Sequence, residues 1–177
     1  RAMDYDKIFA SQLEELKTEG NYRTFAKMER RCGTFPNAMN HSDDGTREVT
    51  VWCSNDYLGM GHHPDVVGAM CETAKTSGAG AGGTRNISGN TVDHIALESE
   101  LADLHGKEAA LVFSSGYVSN WTSLSTLGRR LPNAVILSDE LNHASMIEGI
   151  RHSRADKMIW KHNDPEDLDR KLSTLRP

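Results

Sequence analysis

The residues best suited to chemistry lie in a glycine-rich run, Gly78-Ala79-Gly80-Ala81-Gly82-Gly83-Thr84-Arg85-Asn86-Ile87-Ser88-Gly89. Glycine lets a backbone pass close to a ligand and adopt positive φ without steric cost, and the polar side chains in the run could orient what binds. Three of the glycines also match the spacing of a dinucleotide fingerprint, which needs a strand before it and a helix after it. Here a predicted helix precedes the run and an irregular loop follows. The run therefore indicates a ligand-binding loop and not a dinucleotide site.

A second candidate site is the turn Ser114-Ser115-Gly116-Tyr117, which joins a predicted buried strand to a predicted helix. The first N–H groups of a helix are unpaired and lie at the positive end of its dipole, so they can bind phosphate. Ser115 adds a hydroxyl donor, and Gly116 permits close approach. The same residues also suit an ordinary capped turn, and both interpretations stay open at this point.

His143 follows the next predicted strand, in the segment Ser138-Asp139-Glu140-Leu141-Asn142-His143. Ligands in open α/β sheets collect outside the carboxyl ends of the strands, so we expect His143 at the same rim as Ser115. An imidazole there could stack on an aromatic cofactor, bind a metal or act as a base, or be an ordinary hydrogen-bonded histidine. Asp139 and Glu140 are weak support for a metal, and the shared rim position favours a cofactor.

Two basic residues could bind anions. Arg23 lies in a loop between Tyr22 and Phe25, and a guanidinium suits bidentate binding of a carboxylate. Lys157 opens a predicted strand and could hold a phosphate. Either residue could equally be a solvated surface side chain.

Apolar spacing and capping residues predict the elements that position these groups. A helix with apolar residues from Tyr5 to Leu16 ends near Gly20, and residues 21–48 are polar and turn-rich, with a surface turn at Asp43-Asp44-Gly45. Strands then alternate with helices: strands are predicted at 49–53, 109–113, 134–137 and 157–161, and helices at 64–77, from Thr91 to Gly106, at 117–127, at 142–150 and from Asp164.

This alternation is typical of a parallel sheet covered on both faces. The sequence thus predicts an α/β fold of mostly parallel strands with flanking helices. The chain stops at the close of a helix, where the alternation calls for another strand. We therefore expect the first part of a larger α/β domain, with an exposed sheet edge and uncovered apolar faces.

Composition excludes several classes of function. The 177 residues carry a net charge of −5 without a lysine- or arginine-rich block, so a nucleic-acid surface is not expected. No apolar run reaches the ~18 residues of a membrane span. The three cysteines are far apart, which argues against disulfides and zinc and favours a reducing compartment. We expect a cytoplasmic, bacterial protein, and a processed mitochondrial protein is the alternative.

Four stretches together resemble the α-oxoamine synthases, pyridoxal-phosphate enzymes with the aspartate-aminotransferase-like fold. The stretches are Tyr22–Phe25, Val51–Met60, Gly82–Gly89 and Ser138–Gly149. The glycine-rich stretch is the most specific, because it matches the branch that makes 5-aminolevulinate. By this resemblance residues 1–48 form an N-terminal helix and connecting segment, and residues 49–177 form the first part of the large, pyridoxal-phosphate-binding domain.

The resemblance implies condensation of glycine with succinyl-CoA to 5-aminolevulinate, CoA and CO2, the first step of tetrapyrrole and heme biosynthesis. It implies pyridoxal 5'-phosphate (PLP) as the cofactor, with its phosphate at Ser115, Gly116 and Tyr117 and its ring stacked on the catalytic His143. It also implies a homodimer with shared active sites.

The same resemblance implies which residues bind the substrates. Arg23 would pair with the succinyl carboxylate, and Ser138 and Lys157 would also hold succinyl-CoA. The other implied positions are Asn55, near glycine, and Thr84 with Asn86, in an acyl pocket that reaches the neighbouring subunit.

Two related enzyme classes, 8-amino-7-oxononanoate synthases and glycine C-acetyltransferases, share the fold but use other acyl-CoA thioesters. Arg23 and the pair Thr84 and Asn86 favour the succinyl substrate over theirs. The resemblance implies a Schiff-base lysine that we expect to lie outside these 177 residues, so we expect the chain alone to be inactive. An alternative of another kind is a non-catalytic, truncated module of marginal stability.

Overall fold

A computed structural model describes residues 3–175. They form two compact units, which divide between Gly80 and Ala81. The first unit holds a helix, an antiparallel sheet and a second helix, and the second unit holds the α/β alternation. In chain order the elements are α1 (Tyr5–Thr18), β1 (Met28–Arg30), β2 (Asn37–Ser42), β3 (Gly45–Thr50), α2 (Pro64–Ser77), α3 (Val92–Leu104), α4 (Gly116–Arg130), β4 (Val135–Asp139), α5 (Ala144–Ser153), β5 (Asp156–Trp160) and α6 (Pro165–Ser173).

The helices of the first unit match the sequence prediction. Asp4 caps α1 by accepting a hydrogen bond from the N–H of Lys7 at 3.1 Å. Helix α2 has Pro64 in its first turn and ends at Gly78, as the sequence predicts. Its N-cap is His63, whose Nδ1 accepts from the N–H of Asp65 at 3.3 Å.

The sheet of the first unit differs from the prediction for residues 21–53. Strands β1, β2 and β3 form an antiparallel sheet in that order, whereas the sequence predicts a turn-rich segment and one strand at 49–53. The expected turn at Asp43 and Asp44 is present and joins β2 to β3. The strands escaped prediction because they are largely polar and are stabilised by local cross-strand pairing, as in the contact of Asn37 with Thr50 at 3.0 Å.

The second unit follows the predicted alternation from α4 onward. Strands β4 and β5 pair in parallel, from Val135 opposite Asp156 to Asp139 opposite Trp160. The observed bounds of α4, β4, α5 and β5, and the start of α6, differ from the predicted ones by three residues or fewer. The carboxyl ends of β4 and β5 therefore lie side by side, as a parallel sheet requires.

One predicted strand, residues 109–113, is a loop in the structure. No strand among residues 3–175 pairs with it, and side chains bond to the backbone of Val112 instead. The N–H of Val112 donates to Glu98 at 2.8 Å, and the carbonyl of Val112 accepts from Arg85 at 3.4 Å. Apolar composition alone cannot make a strand without a neighbouring strand to bond.

Helices α4 and α5 pack closely because small residues line their contact. Ser145, Gly149 and Ser153 recur every four residues along α5 and are buried. A Cβ added to Gly149 would lie 3.0–3.1 Å from atoms of α4, so the two helices approach nearer than larger side chains would allow. We name this contact the small-residue seam.

Apolar burial within the described residues is limited. Ala38, Ala102 and Ile150 are the buried apolar residues there, whereas Trp52 is 92% exposed and Phe25 is 91% exposed. This agrees with the expectation of uncovered apolar faces. None of the helices in residues 3–175 combines the length and apolarity needed to cross a membrane.

Candidate functional site

The N-terminus of α4 presents backbone donors to solvent. Ser115 is the N-cap, and its hydroxyl accepts from the N–H of Val118 at 3.2 Å. The N–H of Ser119 bonds back to the carbonyl of the cap residue Ser115, at 3.0 Å. The N–H groups of Gly116 and Tyr117 come earlier, in the first turn, where a helix offers its N–H groups no partner of its own. A Cβ built on Gly116 meets no atom within 4 Å, which leaves open space where a ligand could approach. This geometry suits an anion at the start of a 15-residue helix.

His143 occupies the corresponding position at the start of α5. It is the N-cap residue, and its Nδ1 accepts from the N–H of Ser145 at 3.2 Å. The hydroxyl of Ser145 lies 2.7 Å from the same nitrogen. The ring is thus fixed by α5 itself, with Nε2 on the side away from the cap.

The structure brings two of the predicted cofactor-binding residues together. The ring centroids of Tyr117 and His143 are 6.3 Å apart, with the planes at 74° in an edge-to-face arrangement. The small-residue seam sets this spacing, because it fixes how closely α4 and α5 approach. The two side chains and the open N-terminus of α4 therefore belong to one site.

Acidic residues at the same rim are engaged within the chain. Asp139 lies 2.9 Å from Nδ1 of His162 and accepts from the N–H of Leu141 at 2.8 Å. Burial would raise the pKa of Asp139, but these hydrogen bonds outweigh it and leave the pKa below its usual value. Within residues 3–175 no group of three or more His, Cys, Asp or Glu side chains could hold a metal ion.

Ser138 and Lys157 differ in accessibility. Ser138 is 3% exposed, and its hydroxyl accepts from the side chain of Asn142 at 2.8 Å. Lys157 is exposed on β5, where it pairs with Ile136 of β4. Of these two residues, Lys157 is free to meet a ligand as the chain stands, whereas the Ser138 hydroxyl lies beneath the surface.

The glycine-rich run closes on itself through a tight backbone turn. The carbonyl of Thr84 accepts from the N–H of Gly89 at 2.8 Å and from that of Ile87 at 3.0 Å. A Cβ on Gly89 would lie only 1.9 Å from the carbonyl oxygen of Gly83, so no other residue fits at position 89. The turn leaves the side chains of Thr84 and Asn86 exposed, available for a ligand.

Arg85 is not available in the same way, because it pairs inside the second unit. Its guanidinium contacts both carboxylate oxygens of Glu98, at 2.5 and 2.8 Å, and the side-chain oxygen of Asn90 at 2.7 Å. Arg85 and Glu98 also each bond to the backbone of Val112. We call this bidentate pair and its contacts to Val112 the Arg85–Glu98 clamp. It ties the glycine-rich run to α3 and to the segment that leads to Ser115.

The clamp makes the acid stability of the protein depend on Glu98. Hydrogen bonds from Arg85 and from the N–H of Val112 lower the pKa of Glu98 from 4.5 to about 2. A carboxylate with a depressed folded pKa stabilises the fold above its unfolded pKa, and that contribution is lost as the pH falls from about 4.5 towards about 2. We expect Glu98→Gln to lower the midpoint of thermal unfolding at neutral pH by about 3 °C, and the difference from the parent to shrink across this pH window.

Circular dichroism melts at a series of pH values would measure this effect. Glu100→Gln is the matched control, since Glu100 is exposed on the same helix and should show no such pH dependence. A Glu98→Gln deficit that stays constant from neutral pH to pH 2 would contradict the assignment.

Arg23 and Asn55 belong to the first unit. Arg23 is exposed in the loop between α1 and β1, and Asn55 is exposed in the loop after β3. The neighbouring Asp56 anchors that second loop, because it pairs with Arg30 and accepts from the N–H of Gly61 at 3.3 Å. Its pKa is lowered chiefly by the Gly61 hydrogen bond, which outweighs the effect of its burial.

Sequence reasoning missed three residues that shape the site: Asn120, Ser145 and Glu98. Asn120 donates its side-chain N–H to the hydroxyl of Ser145 at 3.1 Å. A signal existed for Ser145, because it stands two residues after His143 where an N-cap donor is expected. Nothing in a single sequence marks Asn120 or Glu98, since their partners are distant along the chain.

Comparison with known proteins identifies the family. The family described as aminotransferase class I and II matches residues 47–177. The chain belongs to this family. The match includes every candidate residue of the second unit together with Asn55, whereas Arg23 precedes it. The predicted fold class is thereby confirmed.

Within the aminotransferase class I and II family, the chain is similar to enzymes that make 5-aminolevulinate. It is 60% identical over 167 residues to the 5-aminolevulinate synthase of Bradyrhizobium diazoefficiens, covering 94% of this chain and 41% of that protein. It is 55% identical over 172 residues to the mitochondrial 5-aminolevulinate synthase of Emericella nidulans, covering 97% of this chain and 26% of that protein. The chain thus spans at most about two fifths of the length of these relatives.

A solved structure of the same fold supports the architecture. A serine palmitoyltransferase from S. paucimobilis, solved with bound PLP and myriocin, superposes with a TM-score of 0.76 at 28% identity. The superposition covers 95% of this chain and 42% of that one. The chain therefore shares the fold of about two fifths of that protein.

Proposed function

We propose that this chain is part of a PLP-dependent acyltransferase that condenses glycine with succinyl-CoA to 5-aminolevulinate. The observation that carries the proposal is the meeting of Tyr117 and His143 beside the open N-terminus of α4. The similarity to bacterial and mitochondrial 5-aminolevulinate synthases supports the choice of substrates.

The residues at this site fit PLP. The N–H groups of Gly116 and Tyr117 and the hydroxyl of Ser115 would receive its phosphate, because they face open space at the positive end of α4. The exposed ring of His143 offers an aromatic face of the right kind for a pyridine ring. The chemistry that a bound PLP supplies is stabilisation of a carbanion; this chain's residues hold and orient the reactants.

The substrate-binding assignments follow the same logic of charge and exposure. Arg23 would pair with the succinyl carboxylate, since its guanidinium is exposed and forms no ion pair among the described residues. Thr84 and Asn86 would line the acyl pocket, held in place by the turn at Gly89. The exposed Lys157 would hold the CoA ester, and the exposed Asn55 would lie near glycine. Ser138 is assigned to the CoA ester by the family resemblance alone, because its hydroxyl is buried in this chain.

Assembly, domain organisation and location remain predictions. We propose a homodimer with shared active sites, which would also cover apolar side chains such as Trp52 that are exposed here. We also propose that the large domain begins after residue 48 and that the 177-residue chain alone is inactive. Because bacterial and mitochondrial relatives both match, a bacterial cytoplasmic location also stays a prediction.

The role of Arg23 gives the sharpest test of substrate identity. In a full-length protein carrying this sequence, we expect Arg23→Leu to raise KM for succinyl-CoA by about 10- to 100-fold, the size expected for losing a charge-assisted hydrogen bond. The preference should also shift towards uncharged acyl chains. Steady-state assays with glycine and succinyl-CoA, acetyl-CoA or pimeloyl-CoA would measure both effects.

Arg47→Leu is the matched control, because Arg47 is likewise exposed in the first unit and should leave KM unchanged. Unaltered succinyl-CoA kinetics in Arg23→Leu would refute the carboxylate assignment. A parent enzyme that uses acetyl-CoA or pimeloyl-CoA better than succinyl-CoA would replace the proposed function with that of a related acyltransferase.

A further inference from the structure

A series of hydrogen bonds through the buried Ser145 joins α4 to the ring of His143. It begins at the side-chain N–H of Asn120, which donates to the hydroxyl of Ser145 at 3.1 Å. It continues from that hydroxyl to Nδ1 of His143 at 2.7 Å. Ser145 is 0% exposed, so water does not compete for its hydroxyl.

The group at the start of this hydrogen-bonded series determines which atoms donate and which accept. An amide N–H can only donate, so the Ser145 oxygen accepts from Asn120 and its own proton is left for Nδ1. The backbone N–H of Ser145 also points at Nδ1, at 3.2 Å. Two donors therefore converge on one ring nitrogen, and Nδ1 must carry a lone pair and no proton.

A neutral imidazole with unprotonated Nδ1 carries its proton on Nε2. Nε2 of His143 makes no hydrogen bond to any described residue, and the side chain is exposed. The nitrogen left for a ligand is thus an N–H donor. It can donate to an acceptor oxygen, but in this state it can neither take up a proton nor bind a metal.

We propose that Asn120 and Ser145 are positioning residues that, together with the backbone N–H of Ser145, hold His143 as the Nε2–H tautomer, so that it meets its ligand as a hydrogen-bond donor. The small-residue seam makes this possible, because a larger residue at Gly149 would separate Ser145 from α4. The inference rests on the proposed function only for the identity of the ligand; the tautomer follows from this chain's own contacts.

Asn120→Asp tests the proposal by reversing the donor and acceptor roles in this series of hydrogen bonds. A carboxylate can only accept, so the Ser145 hydroxyl would turn towards residue 120 and present its oxygen to Nδ1. We expect the share of His143 protonated at Nδ1 to rise, although the backbone N–H of Ser145 still favours a lone pair there. The measurement is the 15N chemical shift of the ring in a full-length, PLP-free protein labelled at histidine, at mildly alkaline pH. His143→Asn assigns the signal by removing it.

Two further variants make the result specific. Asn120→Leu is close in size but has no donor or acceptor; the Ser145 hydroxyl and backbone N–H can still donate to Nδ1, so Nδ1 should stay unprotonated. In the double variant Asn120→Asp/Ser145→Ala the link to the ring is missing, and the Nδ1 signal should return most of the way to the unprotonated position. Protonation of Nδ1 in the parent, no change in Asn120→Asp, or equal changes in the Asp and Leu variants would each overturn the proposal.

Ser145→Ala gives an independent reading if Asn120→Asp does not fold. Nδ1 should remain unprotonated but lose one of its two hydrogen bonds, so its signal should move further from the protonated range; an unmoved signal would overturn the proposal. These readouts do not require activity. A protein with the expected tautomer that fails to make 5-aminolevulinate would refute the proposed function and leave the positioning role standing.

Discussion

Replacing His143 with alanine should reduce kcat of the full-length enzyme at least about 100-fold, the scale on which a single preorganised hydrogen-bond donor contributes. The values of KM should change much less, because the assigned acyl contacts of Arg23, Thr84 and Asn86 are untouched. His143 is exposed and holds the start of α5, so the same change should also cost about 1 kcal/mol of stability, as the loss of an N-cap does.

His143→Asn separates the cap from the chemistry. An asparagine side chain can accept the N–H of Ser145 in place of Nδ1, so this variant should keep the stability of the parent and still lose kcat. His63→Ala is the matched control, because His63 caps α2 with the same contact to the N–H two residues on. It should lower stability by a similar amount without affecting kcat. Parental kcat in His143→Asn would show that His143 serves only as a cap.

Among glycine-to-alanine changes in the second unit, Gly89→Ala should destabilise the fold most. The added Cβ would lie 1.9 Å from the Gly83 carbonyl oxygen and 2.8 Å from that of Thr84, so the turn must open. We expect a loss of about 2–3 kcal/mol in the free energy of unfolding, the range for overpacking a tight site. Because the turn presents Thr84 and Asn86, KM for succinyl-CoA should also rise.

The effect can be measured by urea unfolding and steady-state kinetics on the full-length protein. Gly68→Ala is the control, since Gly68 lies in α2 with nothing within 4 Å of its Cβ position. That change should be neutral or stabilising by about 0.5–1 kcal/mol, as expected for alanine in a helix. If Gly89→Ala retains parental stability and KM, the closed turn does not form the acyl pocket.

Local sequence signals predicted most of the second unit. The caps Thr91 and Ser115 and the apolar runs of β4 and β5 placed the elements to within a few residues, because each depends on near neighbours. The sequence analysis also expected His143 at the same rim as Ser115, from the rule that strand ends share a rim, although residues 109–113 before that turn are a loop in the structure. The spacing and orientation of the Tyr117 and His143 rings could not be expected, since both depend on how α4 packs on α5.

The failures share a physical cause, namely partners that are distant in sequence. Residues 109–113 are apolar enough for a strand, yet Val112 bonds to Glu98 and Arg85 instead of a neighbouring strand. Arg85 suggested a ligand contact from its place in the glycine-rich run, but its carboxylate partner comes from α3. The polar strands β1 and β2 carry no apolar alternation, and only their pairing reveals them.

The Arg85–Glu98 clamp also has a thermodynamic consequence for the proposed enzyme. Through two side chains it connects the loop assigned to the acyl group with the segment that leads to the assigned phosphate turn. Segments joined in this way share their free energy of ordering, so a ligand that orders one lowers the cost of ordering the other. Such coupling is reciprocal: if bound cofactor tightens the binding of the acyl donor by some factor, the acyl donor tightens the binding of the cofactor by the same factor.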